Sequence, residues 1–188
     1  MATINFITGN PHKALEVKHI LSEYNIEVRV VNYPKIEIQS DTLEKIACYA
    51  ALQAAIALNI PVVVEDSGLF ICSLNGFPGP YSAYVYKTIG LKGVLKLMEN
   101  VKDRRAKFVC VVAYAEPGGY IKLFKGKAEG YISYTIRGKG GFGYDPIFIP
   151  VEFGNKTYAE LTLNEKCSIS HRGKAFRKFA KWFTSERR

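Results

Sequence analysis

Two adjacent carboxylates interrupt an apolar segment in the first half of the sequence. Glu65 and Asp66 directly follow the residues PVVV at 61–64, and Ser67 and Gly68 come next. The apolar run predicts a buried strand that ends at the two carboxylates. Acidic side chains at a strand end are either solvated or bind something positively charged, such as a hard metal cation. Both interpretations stay open on this segment alone.

A third carboxylate, Glu37, lies between Ile36 and Ile38. A lone carboxylate with apolar neighbours needs a partner, because an unpaired charge is costly to bury. Glu37 is therefore harder to explain as a solvated side chain than the acidic pair.

A candidate anion site joins the first predicted strand to the first predicted helix. The segment TGNPHK at 8–13 follows the apolar residues 4–7, and Asn10 can cap a helix that has Pro11 at its first position. Amides at a helix N-terminus attract anions, and Lys13 would add a full charge. The Gly-x-x-x-x-Gly-Lys-Ser/Thr phosphate loop is absent, so an ordinary capped turn explains this segment equally well.

A glycine-rich segment, RGKGGFGYDP at 137–146, has four glycines among residues 138–143. Glycine lets backbone amides approach a ligand closely. Phe142 offers a ring on which a base could stack, and Tyr144 and Asp145 follow at once. A plain flexible crossover has no need of these three side chains, so the segment favours ligand binding.

A last polar cluster precedes and opens the C-terminal helix. It contains Lys166, Ser170, His171 and Arg172. The alternative to a binding role is that Ser170 caps the helix while His171 and Arg172 lie on a solvated face.

The predicted elements place these residues at strand and helix ends. Predicted strands cover residues 4–7, 28–31, 61–65, 107–114, 120–124 and about 130–135, and predicted helices cover residues 11–24, 42–58, 91–99 and about 170 onward. The sequence DTLE at 41–44 resembles a capping box with Asp41 as the cap. Strands alternate with helices early and pair as a hairpin in the middle, which predicts a mixed α/β sheet.

Composition narrows the class of protein. The 188 residues favour one domain, with room for two lobes, and 48% of them are hydrophobic. The apolar runs are too short for a membrane span, and no secretion signal is evident. Four scattered cysteines without Cys-x-x-Cys spacing indicate reduced thiols in a cytoplasm and argue against zinc. The net charge of +9 suits an anionic partner, either a nucleic acid or a phosphorylated small molecule.

Five motifs together resemble one family over almost the whole chain. TGNPHK at 8–13, EDSGL at 65–69, GFPGPYSA at 76–83, GGFGYDPIF at 140–148 and SHRGKA at 170–175 occur in the order seen in inosine/xanthosine triphosphate pyrophosphatases. The resemblance implies a single domain over residues 1–188, with a mixed α/β sheet in two lobes around a central nucleotide-binding cleft. It also implies a homodimer that uses Mg²⁺ to hydrolyse ITP, dITP and XTP to the monophosphate and pyrophosphate, which clears deaminated purines from the nucleotide pool.

The resemblance also implies roles for individual residues. Asp66 and Glu37 would bind Mg²⁺, with Glu65 as an auxiliary ligand, and Asp66 would accept a proton from the water that attacks the α-phosphorus. Phe142 would stack on the base. The substrate-binding residues implied by the motifs are Thr8, Gly9, Asn10, Pro11, His12, Lys13, Ser67, Phe142, Gly143, Tyr144, Asp145, Lys166, Ser170, His171 and Arg172. We expect residues 77–86, with four aromatic rings, to form part of the dimer interface.

Two alternatives stay open. One is a nucleotide pyrophosphatase of the Maf type, which would prefer other bases. The other is a nucleic-acid binder, although no recognition motif for DNA or RNA is present, so we expect neither a nucleic acid nor a membrane as partner. The binder is suggested by basic residues toward the C-terminus: Arg172, Lys174, Arg177, Lys178, Lys181, Arg187 and Arg188.

Overall fold

A seven-stranded mixed sheet organises residues 2–185, which are the residues that the computed structural model describes. The strands are β1 (Ala2–Ile7), β2 (Ile26–Val31), β3 (Val62–Ile71), β4 (Pro78–Gly79), β5 (Arg105–Ala115), β6 (Ile121–Ile132) and β7 (Phe148–Pro150). Their order is β2-β1-β3-β5-β6-β7, and β4 pairs with β3. β1 is parallel to β2 and β3, whereas the other pairs are antiparallel. The predicted mixed α/β fold is confirmed, and Arg187 and Arg188 lie outside the described residues.

Six α-helices in this part of the chain cover the sheet. They are α1 (Pro11–Ser22), α2 (Leu43–Leu58), α3 (Ser82–Thr88), α4 (Gly90–Leu97), α5 (Leu163–Ile169) and α6 (His171–Ser185). One apolar cluster joins α1 and α6 to one face of the sheet, and a second joins the alanine-rich face of α2 to the opposite face. A third cluster holds α3 and α4 against the ends of β3 and β5. No helix within residues 2–185 combines the length and apolarity that a membrane crossing requires.

The helix caps follow largely from the sequence. The Asn10 side chain accepts hydrogen bonds from the amides of His12 and Lys13, at 2.9 and 3.3 Å, so the predicted start of α1 is confirmed. The Ser170 hydroxyl likewise accepts from the Gly173 amide at the start of α6. The predicted cap at Asp41 is wrong: α2 begins one residue later, because the Thr42 hydroxyl accepts the Lys45 amide.

The strand predicted to end at Glu65 continues to Ile71. Residues 62–71 pair with β5 without interruption, and Glu65 and Asp66 lie opposite Val112 and Val111. An antiparallel partner of this length supplies ladder hydrogen bonds regardless of which side chains the strand carries. The two carboxylates therefore lie within a strand and not at its exit. Since side chains alternate between the faces of a strand, Glu65 and Asp66 point to opposite sides of the sheet.

Other elements also differ from the prediction, which did not include the short strands β4 and β7. The strand expected near residues 130–135 is the last part of β6, which pairs with β5 as far as Tyr131 opposite Arg105. The helices α3 and α5 are absent from the prediction, because each has only seven residues and too few turns for a helical period to stand out.

Candidate active site

A cavity of about 520 Å³ brings the predicted motifs together. Residues from the strand–helix junction, the glycine-rich segment, β3 and the start of α6 line it, so segments far apart in sequence meet at one place. The predicted site residues that line the cavity are Asn10, His12, Lys13, Ser67, Phe142, Gly143, Tyr144, Asp145, His171 and Arg172. Its volume is within the range of cavities that hold small-molecule ligands.

A network of buried ion pairs supports the cavity. The Arg172 guanidinium is 1% exposed and donates through Nη1 to Glu16 Oε2 at 2.6 Å. The other oxygen of Glu16 accepts from Lys166 Nζ at 2.6 Å, and Lys166 also donates to Asp145. Burial alone would raise the pKa of Glu16, but Arg172 and Lys166 outweigh it and lower that pKa. Glu16 thereby ties α1 to α5 and α6 through charge.

Glu65 belongs to the same network. Its Oε1 lies 2.5 Å from Lys13 Nζ, and its Oε2 lies 3.4 Å from Arg172 Nη2 and accepts from the Cys110 thiol at 3.1 Å. Burial opposes ionisation, yet Arg172 and Lys13 hold the pKa of Glu65 well below its ordinary value. Arg172 Nη2 also donates to the Ser67 hydroxyl at 3.2 Å. Both oxygens of Glu65 are thus engaged by protein groups, so Glu65 is poorly placed to be a metal ligand.

Asp66 has a different environment on the other face of β3. Its side chain is 9% exposed, and within residues 2–185 no side chain donates a hydrogen bond to it. Burial raises the pKa of Asp66 to about 6, although Lys13 and Lys35 act in the opposite direction. A buried carboxylate without a partner is suited to receive either a cation or a proton.

Glu37 lies near Asp66 and is paired with Lys35 at 2.6 Å. Lys35 Nζ also lies 3.5 Å from the Glu65 carbonyl oxygen, so it links the loop between β2 and α2 to β3. Burial would raise the pKa of Glu37, but Lys35 outweighs it and lowers that pKa. The Glu37 side chain is half exposed, which leaves it accessible to an incoming cation.

The residues fit a metal that keeps several non-protein ligands. Within residues 2–185 no three His, Cys, Asp or Glu side chains form a ready metal cage. Mg²⁺ usually binds through one or two carboxylates, with substrate phosphates and water completing its coordination. Asp66 and Glu37 suit this mode, and Glu65 does not.

Phe142 provides a flat ring in the lining of the cavity. Its ring stacks on that of His12 at a centroid distance of 5.2 Å, and Lys166 Nζ lies 4.8 Å from the Phe142 ring centre. The Phe142 amide donates to Asp145 Oδ2 at 2.8 Å. Gly141, with φ of +67°, allows this turn, because a Cβ there would overlap the Asp145 carboxylate. Gly141 therefore permits the turn in which the Phe142 amide reaches the Asp145 carboxylate.

Two buried polar atoms beside Phe142 have no hydrogen-bond partner in the described structure. They are His171 Nδ1 and Arg172 Nε. The His171 ring is 3% exposed and stacks on Phe108 at 4.6 Å, and burial holds its pKa well below the ordinary value. The solvated helix face considered for His171 and Arg172 is therefore wrong. Polar atoms buried without a partner next to a cavity are suited to bind a ligand.

Other predicted residues shape the site without lining the cavity. The Thr8 hydroxyl accepts the Asn10 amide at 3.1 Å, Pro11 begins α1, and Ser170 caps α6. Gly9 needs no special explanation, since a Cβ there would contact nothing within 4 Å.

Sequence reasoning missed three residues that contact the predicted site residues, namely Glu16, Lys35 and Cys110. Glu16 had a detectable signal, because it lies one turn after Lys13 and next to Val17 on the apolar side of α1. Cys110 had no such signal, since its contact with Glu65 joins two strands. Lys35 had none either, because it lies in an irregular loop whose approach to β3 depends on the fold.

Comparison with known proteins agrees with this arrangement. The model of the Ham1 family matches residues 4–182. The dITP/XTP pyrophosphatase of Methanopyrus kandleri is 56% identical over 95% of this chain and 94% of its own length, and that of Ignicoccus hospitalis is 50% identical over 97% of each.

Two solved structures have the same fold. The Ham1 protein of Staphylococcus aureus superposes with a TM-score of 0.84 at 34% identity, over 98% of this chain and 99% of its own. The HAM1 protein of Coxiella burnetii superposes with a TM-score of 0.85 at 34% identity, also over 98% of this chain and 99% of its own. Five sequence motifs, a mixed seven-stranded sheet and these full-length matches agree, and the chain belongs to the Ham1 family.

Proposed function

We propose that this protein is a nucleoside triphosphate pyrophosphatase that hydrolyses ITP, dITP and XTP to the monophosphate and pyrophosphate. The observation that carries the proposal is the cavity, which joins the N-terminus of α1 and Lys13 to a stacking platform at Phe142. Relatives with about half of their residues identical are named dITP/XTP pyrophosphatases. Removal of such nucleotides would clear deaminated purines from the nucleotide pool.

The phosphates are proposed to bind at the strand–helix junction and at Ser67. Asn10 already accepts the amides of His12 and Lys13, so side chains and the helix dipole contribute more here than free amides. Lys13 lies at this junction and stays protonated, since Glu65 outweighs the effect of burial and raises the pKa of the ammonium.

Asp66 is proposed to accept a proton from the water that attacks the α-phosphorus. Its raised pKa brings the carboxylate closer to the pH at which a general base works best. Mg²⁺, when bound by Asp66 and Glu37, would offset the charge on the leaving pyrophosphate. No covalent intermediate is required, because water attacks directly.

The base is proposed to stack on Phe142 with its edge toward His171 and Arg172. Three of the five N–H groups of Arg172 donate to Glu16, Glu65 and Ser67, and Nε, which has no partner, is the donor proposed for a 6-oxo group. Adenine has an amino group at position 6, which is also a donor, so it and the Nε–H of Arg172 would face each other without an acceptor.

The basic C-terminal helix offers little to a nucleic acid. Lys174 pairs with Glu152, Arg177 pairs with Glu23, and Arg172 is buried. These pairings favour a small-molecule substrate over the nucleic-acid alternative.

Two further properties stay predictions. The four cysteines are free thiols, which is compatible with a cytoplasmic location. A homodimer would use residues 77–86, where Tyr84 is 69% exposed.

The test of the function is pyrophosphate release from ITP, dITP, XTP, GTP, ATP and pyrimidine triphosphates, with Mg²⁺ and with a chelator. We expect turnover of ITP, dITP and XTP only, and only when Mg²⁺ is present. Preference for bases other than hypoxanthine and xanthine would favour the Maf-type alternative, and no turnover of any nucleotide would refute the proposal.

A further inference from the structure

Four cations of the candidate site are already neutralised by protein carboxylates. Lys13 pairs with Glu65, Lys35 with Glu37, and Lys166 and Arg172 with Glu16. The carboxylates of this network are Glu16, Glu37, Glu65, Asp66 and Asp145, one more than the cations. When all are ionised the site carries net negative charge, which by itself would repel a triphosphate.

Lys87 lines the same cavity and has no such partner. It lies in the last turn of α3, its side chain is exposed, and no hydrogen bond or ion pair to another group in residues 2–185 engages its ammonium. Among the cations that line the cavity, Lys13 and Arg172 are held by carboxylates and Lys87 is not. Lys87 is thus the lining cation whose charge is available to a ligand.

The helix that carries Lys87 forms one wall of the cavity and is attached to both β3 and the glycine-rich segment. The Ser82 hydroxyl accepts the Leu69 amide at 2.9 Å and donates to the Gly79 carbonyl at 2.6 Å. These bonds hold the first turn of α3 against β3, two residues beyond Ser67. The Tyr144 hydroxyl also donates to the Ser82 carbonyl at 2.8 Å, which ties α3 to the glycine-rich segment. These hydrogen bonds hold α3 in place, and the long, exposed side chain of Lys87 extends from it.

We infer that Lys87 is a substrate-binding residue whose ammonium contacts the β- and γ-phosphates, the part that leaves as pyrophosphate. The inference rests on the proposed function and adds a residue that none of the five motifs contains. A lysine suits this role, because its long side chain lets the charge follow a flexible polyphosphate.

A purely structural role for Lys87 is the competing explanation. A cation in the last turn of a helix stabilises the helix dipole. Lys96 offers a matched control, because it is also an exposed lysine in the last turn of the neighbouring helix α4, and it does not line the cavity.

The test compares Lys87→Gln, Lys87→Arg and Lys96→Gln with the parent enzyme. We measure kcat/KM for ITP, product inhibition by pyrophosphate and by IMP, and the melting temperature. For Lys87→Gln we expect kcat/KM to fall about tenfold and the inhibition constant of pyrophosphate to rise about tenfold, since a charge-assisted contact is lost. Inhibition by IMP should change less than about twofold, and Lys87→Arg should restore most of the pyrophosphate affinity.

Each outcome separates this inference from the proposed function. If the parent enzyme hydrolyses ITP but Lys87→Gln behaves like Lys96→Gln, Lys87 has no role in binding. If Lys87→Gln weakens IMP and leaves pyrophosphate unchanged, Lys87 contacts the nucleoside and the inference is overturned. If the parent enzyme does not hydrolyse ITP at all, the proposed function itself fails.

Discussion

Asp66 carries a buried carboxylate whose charge is unfavourable in the metal-free fold. Burial raises its pKa from 3.8 to about 6. Below pH 3.8 the carboxyl is protonated in both the folded and unfolded states, so it has no effect on stability. Between pH 3.8 and about 6 the unfolded chain loses the proton first, and stability falls as pH rises. Above about pH 6 no further stability is lost, and the free energy of unfolding is lower by roughly 3 kcal/mol in total.

Asp66→Asn is therefore expected to stabilise the protein while it removes activity. With a chelator present at about pH 8, the free energy of unfolding should rise by roughly 1–3 kcal/mol, and the gain should shrink to about half at pH 5. With Mg²⁺ present, kcat for ITP should fall roughly a hundredfold or more, because the base is lost. Urea unfolding and steady-state kinetics measure the two effects.

Asp41→Asn is the matched control for this prediction, because Asp41 is exposed and outside the site. It should change the free energy of unfolding by less than about 0.5 kcal/mol. An Asp66→Asn variant that is less stable than the parent at pH 8, or one that keeps normal turnover, would contradict the assignment.

Individual residues were predictable where a local pattern carries the information. Asn10 and Ser170 were identified as caps because capping involves residues only two or three positions apart. Glu16, the buried partner of Arg172, was not identified, because it lies 156 positions away in the chain. Pairing at that distance depends on the sheet order, which the sequence pattern does not specify.

At the scale of elements, the position of α6 depends on a glycine of β6. A Cβ at Gly126 would lie 2.0 Å from the His171 carbonyl oxygen and 2.4 Å from the Ala175 amide nitrogen. The first turn of α6, which carries His171 and Arg172, therefore packs directly on the strand backbone. Only glycine permits this approach.

Gly126→Ala should displace the start of α6 and so disturb His171 and Arg172, which are proposed to bind the base. We expect a loss of roughly 1–3 kcal/mol in the free energy of unfolding and a higher KM for ITP. Gly118→Ala is the control, because a Cβ at Gly118 would meet nothing within 4 Å. Calorimetry and kinetics that give the same values for both variants would refute this role of Gly126.

The sequence predicted long elements better than short ones. The residues 42–58 were identified as a helix because several turns repeat one apolar face, and the structure has α2 over Leu43–Leu58. The seven-residue helix α3 gave no such signal, although it supplies one wall of the cavity. Glu65 and Asp66 obscured the continuation of β3, because sequence alone does not reveal the partner strand that pairs with them.

At the scale of the whole molecule, the exposed rings of residues 77–86 predict self-association. Phe77, Tyr81, Tyr84 and Tyr86 are 40%, 43%, 69% and 41% exposed. Apolar rings clustered on a surface are typical of an interface. Sedimentation at micromolar concentration should give a dimer, and Tyr84→Asp should shift it toward monomer.

Ile56→Asp is a control for this prediction, since Ile56 is 58% exposed on α2 and outside this segment. It should leave the sedimentation coefficient unchanged. A parent protein that sediments only as monomer would rule out a stable dimer.

The central claim is that water attacks the α-phosphorus of a deaminated purine triphosphate at the candidate active site. The most direct measurement is mass spectrometry of the products of ITP hydrolysis in ¹⁸O-labelled water with Mg²⁺. We expect IMP and pyrophosphate in equal amounts, with one ¹⁸O atom in IMP and none in pyrophosphate. Label in pyrophosphate, or release of IDP and orthophosphate, would contradict the account.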